Sequence, residues 1–387
     1  MSEKKIGIMT IHKVNNYGAE LQAFALQEKL NRLGFSAEII DYLYYKHREY
    51  RYSRKARPFV RLGLNRRVKE CLAPLLSWVK ALPHGAALKR REAAFARFHQ
   101  RYTRYSPITY RSIEQLHESG MAYDLYMVGS DQVWNPFANV SLKPYFLDFA
   151  PAGKPRISYA SSFGVSTIPV EARPIYRECL NGLDRIAVRE KQGVGIVEEL
   201  TGRKAHHVVD PTLLLHEDDW KAFACAVDVE RPYLLLYVLT PSDYATKLAR
   251  RIAESLKLKL VRICKGAAKQ DAGDSIHNIV DAGPAEFVGL FLNAAFVITN
   301  SFHGTAFSVN FHKPFYTVLP KNKPNNSRQQ GLLETLRLED RLISEGAPFP
   351  AEGSSLIDYG EAEILLQQFR DESVKYLLDA VNGDADA

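Results

Sequence analysis

Apolar and polar residues alternate along this chain in blocks that change period. Ile6-Gly7-Ile8-Met9-Thr10-Ile11 is a short apolar, β-branched run and predicts a strand. Asn15-Asn16-Tyr17-Gly18 is turn chemistry in which an Asn can cap a helix. Leu21, Ala25, Leu26, Leu30 and Leu33 then recur at helical spacing until Gly34 stops the helix, and Ser36–Asp41 predicts a second strand. Strand, helix, strand is the opening of a parallel sheet with helices on its faces.

The same alternation resumes further on. Tyr123–Val128, Ile157–Ala160, Arg185–Val188 and His207–Val209 predict strands, with a helix from Gly193 to Leu200. A second series gives strands at Tyr233–Leu239, Lys259–Cys264, Phe296–Thr299 and Phe315–Val318. Helices are expected at Tyr244–Leu256, Ala285–Ala294, Thr305–Phe311 and Glu361–Val381. The expected organisation is an α/β chain of two Rossmann-like domains, 1–215 and 231–350, joined by a linker at 216–230. A C-terminal helix and tail occupy 351–387. A cleft between the domains is expected, and ligands in such sheets sit at the carboxyl ends of strands.

Composition changes this picture in one place. The chain carries 51 Lys and Arg against 44 Asp and Glu, but Lys46–Arg111 alone holds 18 of the cations and only three acids, Glu49, Glu70 and Glu92. The rest of the chain is therefore net acidic. Such a block suits an anionic partner: a membrane surface, a nucleic acid or an acidic substrate. Inside it, Val68, Leu72, Leu75, Leu76 and Val79 share one helical face, and a second helix runs from Ala86 to Tyr105. The four cysteines are far apart, which fits a reducing compartment. No apolar run reaches the roughly 20 residues a membrane span needs, and the N-terminus does not read as a signal peptide. The expected location is the cytoplasm, free or lying on a membrane.

The informative polar residues are those that follow strands. Asn15–Glu20 follows the first; Asp131, Gln132, Trp134 and Asn135 follow a later one; Arg189 and Glu190 follow another. Asn300-Ser301-Phe302-His303 follows Phe296–Thr299, and Gly304-Thr305 opens a helix whose N-terminus suits an anion. Each also has a plain reading: Asp131 as a turn cap, Arg189 as a salt-bridged group, Trp134 as a buried wall residue, Lys321, Lys323 and Arg328 as a solvated loop. No phosphate-binding P-loop, dinucleotide fingerprint or nucleophile elbow is present. Nor does any spacing suggest a metal site, so none is expected.

Val128-Gly129-Ser130-Asp131-Gln132-Val133-Trp134-Asn135-Pro136 resembles the VGSDQVWNP segment of the polysaccharide pyruvyl transferase family. Asn15–Ala23 resembles that family's N-Y-G-x-x-L-Q-A helix start. Ile157–Gly164, Ala187–Glu190, Val209–Thr212, Thr299–Thr305 and Asn326–Arg328 match in order, so the resemblance covers roughly residues 5–345. It implies a glycosyltransferase-B-like fold, phosphoenolpyruvate as donor substrate with no further cofactor, and a sugar acceptor in a surface polysaccharide or its lipid-linked precursor. The product is a pyruvate ketal, with phosphate released. It implies donor-site, catalytic roles for His303 and Arg189, and Asp131 is the expected catalytic base or acceptor anchor. Donor binding is expected from Arg189, Ser301, His303, Gly304, Thr305, Arg328 and Lys265. Acceptor binding is expected from Asn16, Tyr17, Gly18, Glu20, Trp134 and Asn135. Some members place an Arg where this chain has Ser301, which leaves one anion contact open; Arg328 is the expected replacement and Lys265 a second choice.

A membrane-surface role for residues 46–111 would suit a lipid-linked acceptor, while packing of that helix on the first domain is the plainer alternative. Two other functions remain open. One is a sugar-nucleotide-dependent glycosyltransferase on the same fold. The other is a non-enzymatic binder of anionic polymer or membrane through the basic block, although nucleic acid is not an expected partner of the transferase.

Overall fold

A computed structural model describes residues 3–53, 56–60, 85–264, 276–321, 326–351 and 356–383. The proposed apolar helix face of Val68–Val79 and Lys265 lie outside the described residues. The chain divides into two compact units. The first comprises residues 1–64, 99–214 and 367–387; the second comprises 65–98 and 215–366.

The first unit is built on a parallel sheet in the order β2-β1-β3-β4. Its strands are β1 (Lys5–Met9), β2 (Ser36–Ile39), β3 (Leu125–Val128) and β4 (Arg156–Ser158). A parallel pair of short strands, β5 (Ala187–Val188) and β6 (His206–His207), continues it through single bridges at Ile157–Arg185 and Ser161–Val188. The central strands are buried on both faces, which is why Leu125–Val128 reads as an unbroken apolar run. Gly7 lets the ring of Tyr123 lie across β1; a Cβ there would stand 2.5 Å from that ring. Helix α1 (Tyr17–Arg32) returns the chain from β1 to β2, and the order places a topological switch between β1 and β3. Helix α2 (Gly85–Tyr102), which belongs to the second unit up to Phe98 and to the first from His99, buries Arg91, Ala94, Phe95 and Phe98, close to the expected element. The shorter helices of this unit are α3 (Ile113–His117), α4 (Arg173–Asn181), α5 (Lys191–Thr201) and α6 (Pro211–Leu214).

The second unit begins with α7 (Glu217–Lys221). The expected linker is therefore packed structure at its start: Trp220 is fully buried, edge-on to Phe307 at 5.1 Å. Its six-stranded parallel sheet comprises β7 (Tyr233–Tyr237), β8 (Lys259–Ile263), β9 (Ile276–Ile279), β10 (Phe296–Thr299), β11 (Phe315–Leu319) and β12 (Leu342–Ser344). The order β12-β11-β10-β7-β8-β9 is the doubly wound order of dinucleotide-binding domains, with its switch between β7 and β10. Leu234, Leu236, Leu248, Phe296, Ile298 and Val318 fill the core on one face. Helices α8 (Asp243–Ser255), α9 (Pro284–Asn293), α10 (Phe302–Asn310) and α11 (Ser327–Thr335) cover the sheet. The long α12 (Gly360–Asn382) ends the chain; from Gln367 onward it belongs to the first unit. There Tyr376 donates to Ser158 O and Arg370 to Leu213 O.

Candidate active site

In the first unit the loop after β1 is held by the start of α1. Asn16 is the N-cap, its side chain accepting from Gly18 N at 3.2 Å. Glu20 is buried: one carboxylate oxygen accepts from Val14 N at 2.6 Å, the other meets His99 Nε2 at 2.8 Å. Tyr17 and Gly18 are buried in the helix's first turn. Glu20 therefore holds the loop, Tyr17 is buried, and Asn16 stays half-buried. Trp134, also expected at the acceptor, is core. It stacks on Phe146 at 5.0 Å and donates Nε1 to Tyr145 O at 2.7 Å. Asn135 donates to Gln132 Oε1 and accepts from Phe137 N, which ties down the turn after β3.

Asp131 differs from these. It follows β3 at the switch point with φ 68°, the left-handed region uncommon outside glycine. Its backbone oxygen accepts from Val133 N and Ser162 N. Its carboxylate is half-buried and accepts no hydrogen bond among the described residues. The charge reaches its neighbours: it helps raise the Tyr44 hydroxyl, after burial and Tyr45, and helps hold Arg189 charged.

Arg189 is set among carboxylates. Its side chain is 1 % exposed, with Nη1 on Asp210 Oδ2 at 2.9 Å and Nε on Glu190 Oε1 at 3.0 Å. Burial works against the guanidinium charge, but Glu190, Asp210 and Asp131 more than offset it and hold it above the usual arginine range. Asp210 in turn accepts from Thr212 and Ser130, and Glu190 from Ser162. The arginine thus ties together the segments after β3, β4, β5 and β6. Its charge faces two carboxylates, Asp210 and Glu190.

In the second unit, α10 starts at the end of β10. Ser301 caps it, accepting from Gly304 N at 3.3 Å. Thr305 donates to Ser301 O and meets Thr317 Oγ1 at 2.8 Å. Gly304 is required by close approach, since a Cβ would lie 2.2 Å from Thr299 Oγ1. His303 is buried in the first turn, its ring 5.3 Å from that of Phe302, and Arg328 of α11 lies over the Phe302 ring at 6.0 Å. His303 and Arg328 therefore flank one aromatic ring at a helix N-terminus. Asn300 locks the neighbouring loop, accepting from Leu239 N at 2.7 Å and donating to Thr240 O at 2.8 Å. Gln329, next to Arg328, donates to Asn300 O.

Three residues went unnoticed in the sequence. His12, Lys13 and Asp41 form a cluster beside β1 in which His12 and Asp41 are buried and Lys13 is partly exposed. His12 and Lys13 directly follow the first apolar run, the same signal that singled out the other strand ends. Among the described residues no group of three or more His, Cys, Asp or Glu is arranged to hold a metal ion, and no helix is long and apolar enough to cross a membrane.

Two Rossmann-like units with polar residues gathered at strand ends place the chain in the glycosyltransferase-B-like class of α/β folds. The S. aureus MnaA–UDP co-structure is similar at a TM-score of 0.50 and 13% identity, over 97% of this chain and 88% of that one. A putative UDP-N-acetylglucosamine 2-epimerase from Listeria monocytogenes gives 0.49 and 11%, over 100% and 98%. The glycosyltransferase SnogD from Streptomyces nogalater gives 0.45 and 12%, over 97% and 96%. No curated protein matches the chain. The family is narrower than the fold: the polysaccharide pyruvyl transferase model matches residues 16–322, and the chain belongs to that family.

Proposed function

We propose that the protein transfers the enolpyruvyl group of phosphoenolpyruvate to a sugar of a surface polysaccharide or of its lipid-linked precursor, forming a pyruvate ketal and releasing phosphate. The observation that carries this reading is the state of Asp131. A family-motif carboxylate stands at a sheet switch point, in left-handed backbone, with no hydrogen bond among the described residues to occupy it. Such a group is available to take a proton or hold a hydroxyl.

The reaction needs two sugar hydroxyls and one enol phosphate. A proton adds to the methylene carbon, and the central carbon becomes oxocarbenium-like. One hydroxyl oxygen bonds to it, the bond to the phosphate oxygen breaks, and the second hydroxyl oxygen bonds in its place. Of the two hydroxyl protons, one balances the new methyl group and the other leaves with phosphate. Asp131 is the base or acceptor anchor, with Asn16 at the acceptor rim. His303 and Arg328, at the α10 N-terminus, suit the donor's phosphate and carboxylate. Arg189 positions the strand ends instead of gripping the donor.

The test is phosphate release from phosphoenolpyruvate in the presence of candidate lipid-linked glycans, with mass analysis of the acceptor. Asp131→Asn is expected to lower kcat about 10²- to 10⁴-fold with little change in fold. Full activity in that variant removes the role of Asp131. Stabilisation by a nucleotide sugar and not by phosphoenolpyruvate in thermal titration would make the protein a glycosyltransferase instead.

A further inference from the structure

We infer that Lys13 is a substrate-contacting cation of the first unit, taking a phosphoryl anion. Four observations converge on it. Lys13 follows β1 at the switch between β1 and β3, the edge that also carries Asp131. Its backbone is left-handed, with φ 52°, a conformation a lysine keeps only where its surroundings demand it. Its ammonium is aimed by two groups: Asp41 Oδ2 at 2.6 Å, on a side chain 3 % exposed, and the ring of the half-buried Tyr105 at 4.5 Å. Asp41 is itself fixed by His12 Nε2 at 3.0 Å and by Thr109 Oγ1, while His12 Nδ1 meets Thr10 O at 3.0 Å.

A surface lysine needs no such frame, because exposed ion pairs contribute little. An ammonium has three donors, and Asp41 takes one. The Lys13 side chain stays 29 % exposed, against 1 % for Arg189 on the same sheet edge. Lys13 thus supplies the accessible positive charge that Arg189 does not. The anion is either the donor's phosphate or a diphosphate that joins a glycan to its carrier; both present phosphoryl oxygens. The inference deepens the transferase reading and rests on it for the identity of the two sources.

Binding of phosphoenolpyruvate and of inorganic pyrophosphate to the full chain is measured separately by calorimetry. Lys13→Met is expected to weaken at least one of them about tenfold to a hundredfold, and Lys13→Arg to keep most of the affinity. Loss confined to phosphoenolpyruvate assigns Lys13 to the donor; loss confined to pyrophosphate assigns it to the acceptor's linkage. Should Lys13→Met unfold because Asp41 is left uncompensated, the Asp41→Asn/Lys13→Met double variant removes both charges and carries the same expectation. Wild-type affinity for both anions in a folded variant overturns the inference. Lys13-dependent pyrophosphate binding without any phosphate release from phosphoenolpyruvate would defeat the transferase reading and leave Lys13 standing. Phosphate release with unchanged anion affinities would do the reverse.

Discussion

Arg189 keeps a full positive charge out of water between Asp210 and Glu190, with Ser130 Oγ also in reach of Nη1. Removing one side of such a network leaves carboxylates buried without their counter-charge. Arg189→Met is therefore expected to cost about 3–5 kcal/mol in urea unfolding, more than a lost surface contact could explain. Arg189→Lys, which keeps the charge but loses the fork, should cost less. A wild-type midpoint for Arg189→Met would show that the network carries no stability. Residue type and position after a strand were legible for Arg189, Asp131 and Glu20 alike. Which way each side chain turns was not, because that depends on partners far along the chain, such as Asp210 for Arg189 and His99 for Glu20. Lys13 shows the converse: Asp41 and Tyr105, which aim it, are separate from it in sequence and meet only in the fold.

Elements with long apolar runs were legible, since β7, β10 and β11 are buried along their whole length. β9 was not, because Ile276-His277-Asn278-Ile279 buries only its two isoleucines, and α11 starts in Pro/Asn-rich sequence. At α10, Gly304→Ala puts a methyl against Thr299 Oγ1, which donates to Tyr237 O and accepts from Ser301 N. About 1–3 kcal/mol of stability should go, together with affinity for phosphoenolpyruvate; an unchanged Tm would show that the helix can shift. At β6, the ring of His207 lies tilted against that of Phe369 of α12, with centroids 4.7 Å apart. Burial and then Lys191 push its pKa down to about 4 from 6.5. The unfolded chain takes up this proton more readily, so the contribution is full above about pH 6.5 and is lost as pH falls towards 4, by up to about 3 kcal/mol. His207→Gln should flatten that acid limb of the stability profile, and an unaltered limb would place the titration elsewhere.

Over the whole molecule the basic block is less available than its charge suggests. Arg90 pairs with Asp281 at 2.7 Å, Arg97 with Glu286 at 3.7 Å, and Arg111 with Glu49 at 3.3 Å. Arg91 is buried and donates to Cys264 O. Arg91 is thus drawn into the protein and the others face acids of the chain, which a charge count along the sequence cannot reveal. Arg66, Arg67, Lys69 and Lys80 lie outside the described residues and remain the proposed contact with an anionic membrane. The two sets can be separated by experiment. In flotation at low salt the protein should rise with vesicles containing anionic lipid and not with neutral ones, since each cation near such a surface contributes about 1 kcal/mol. Changing Arg66, Arg67, Lys69 and Lys80 to Gln should abolish flotation while leaving Tm unchanged. Changing Arg90 and Arg97 to Gln, which removes only exposed pairs, should leave both Tm and flotation close to wild type. If the wild-type protein stays with the dense fraction, or the fourfold variant floats undiminished, a lipid-linked acceptor would have to be reached without help from this block.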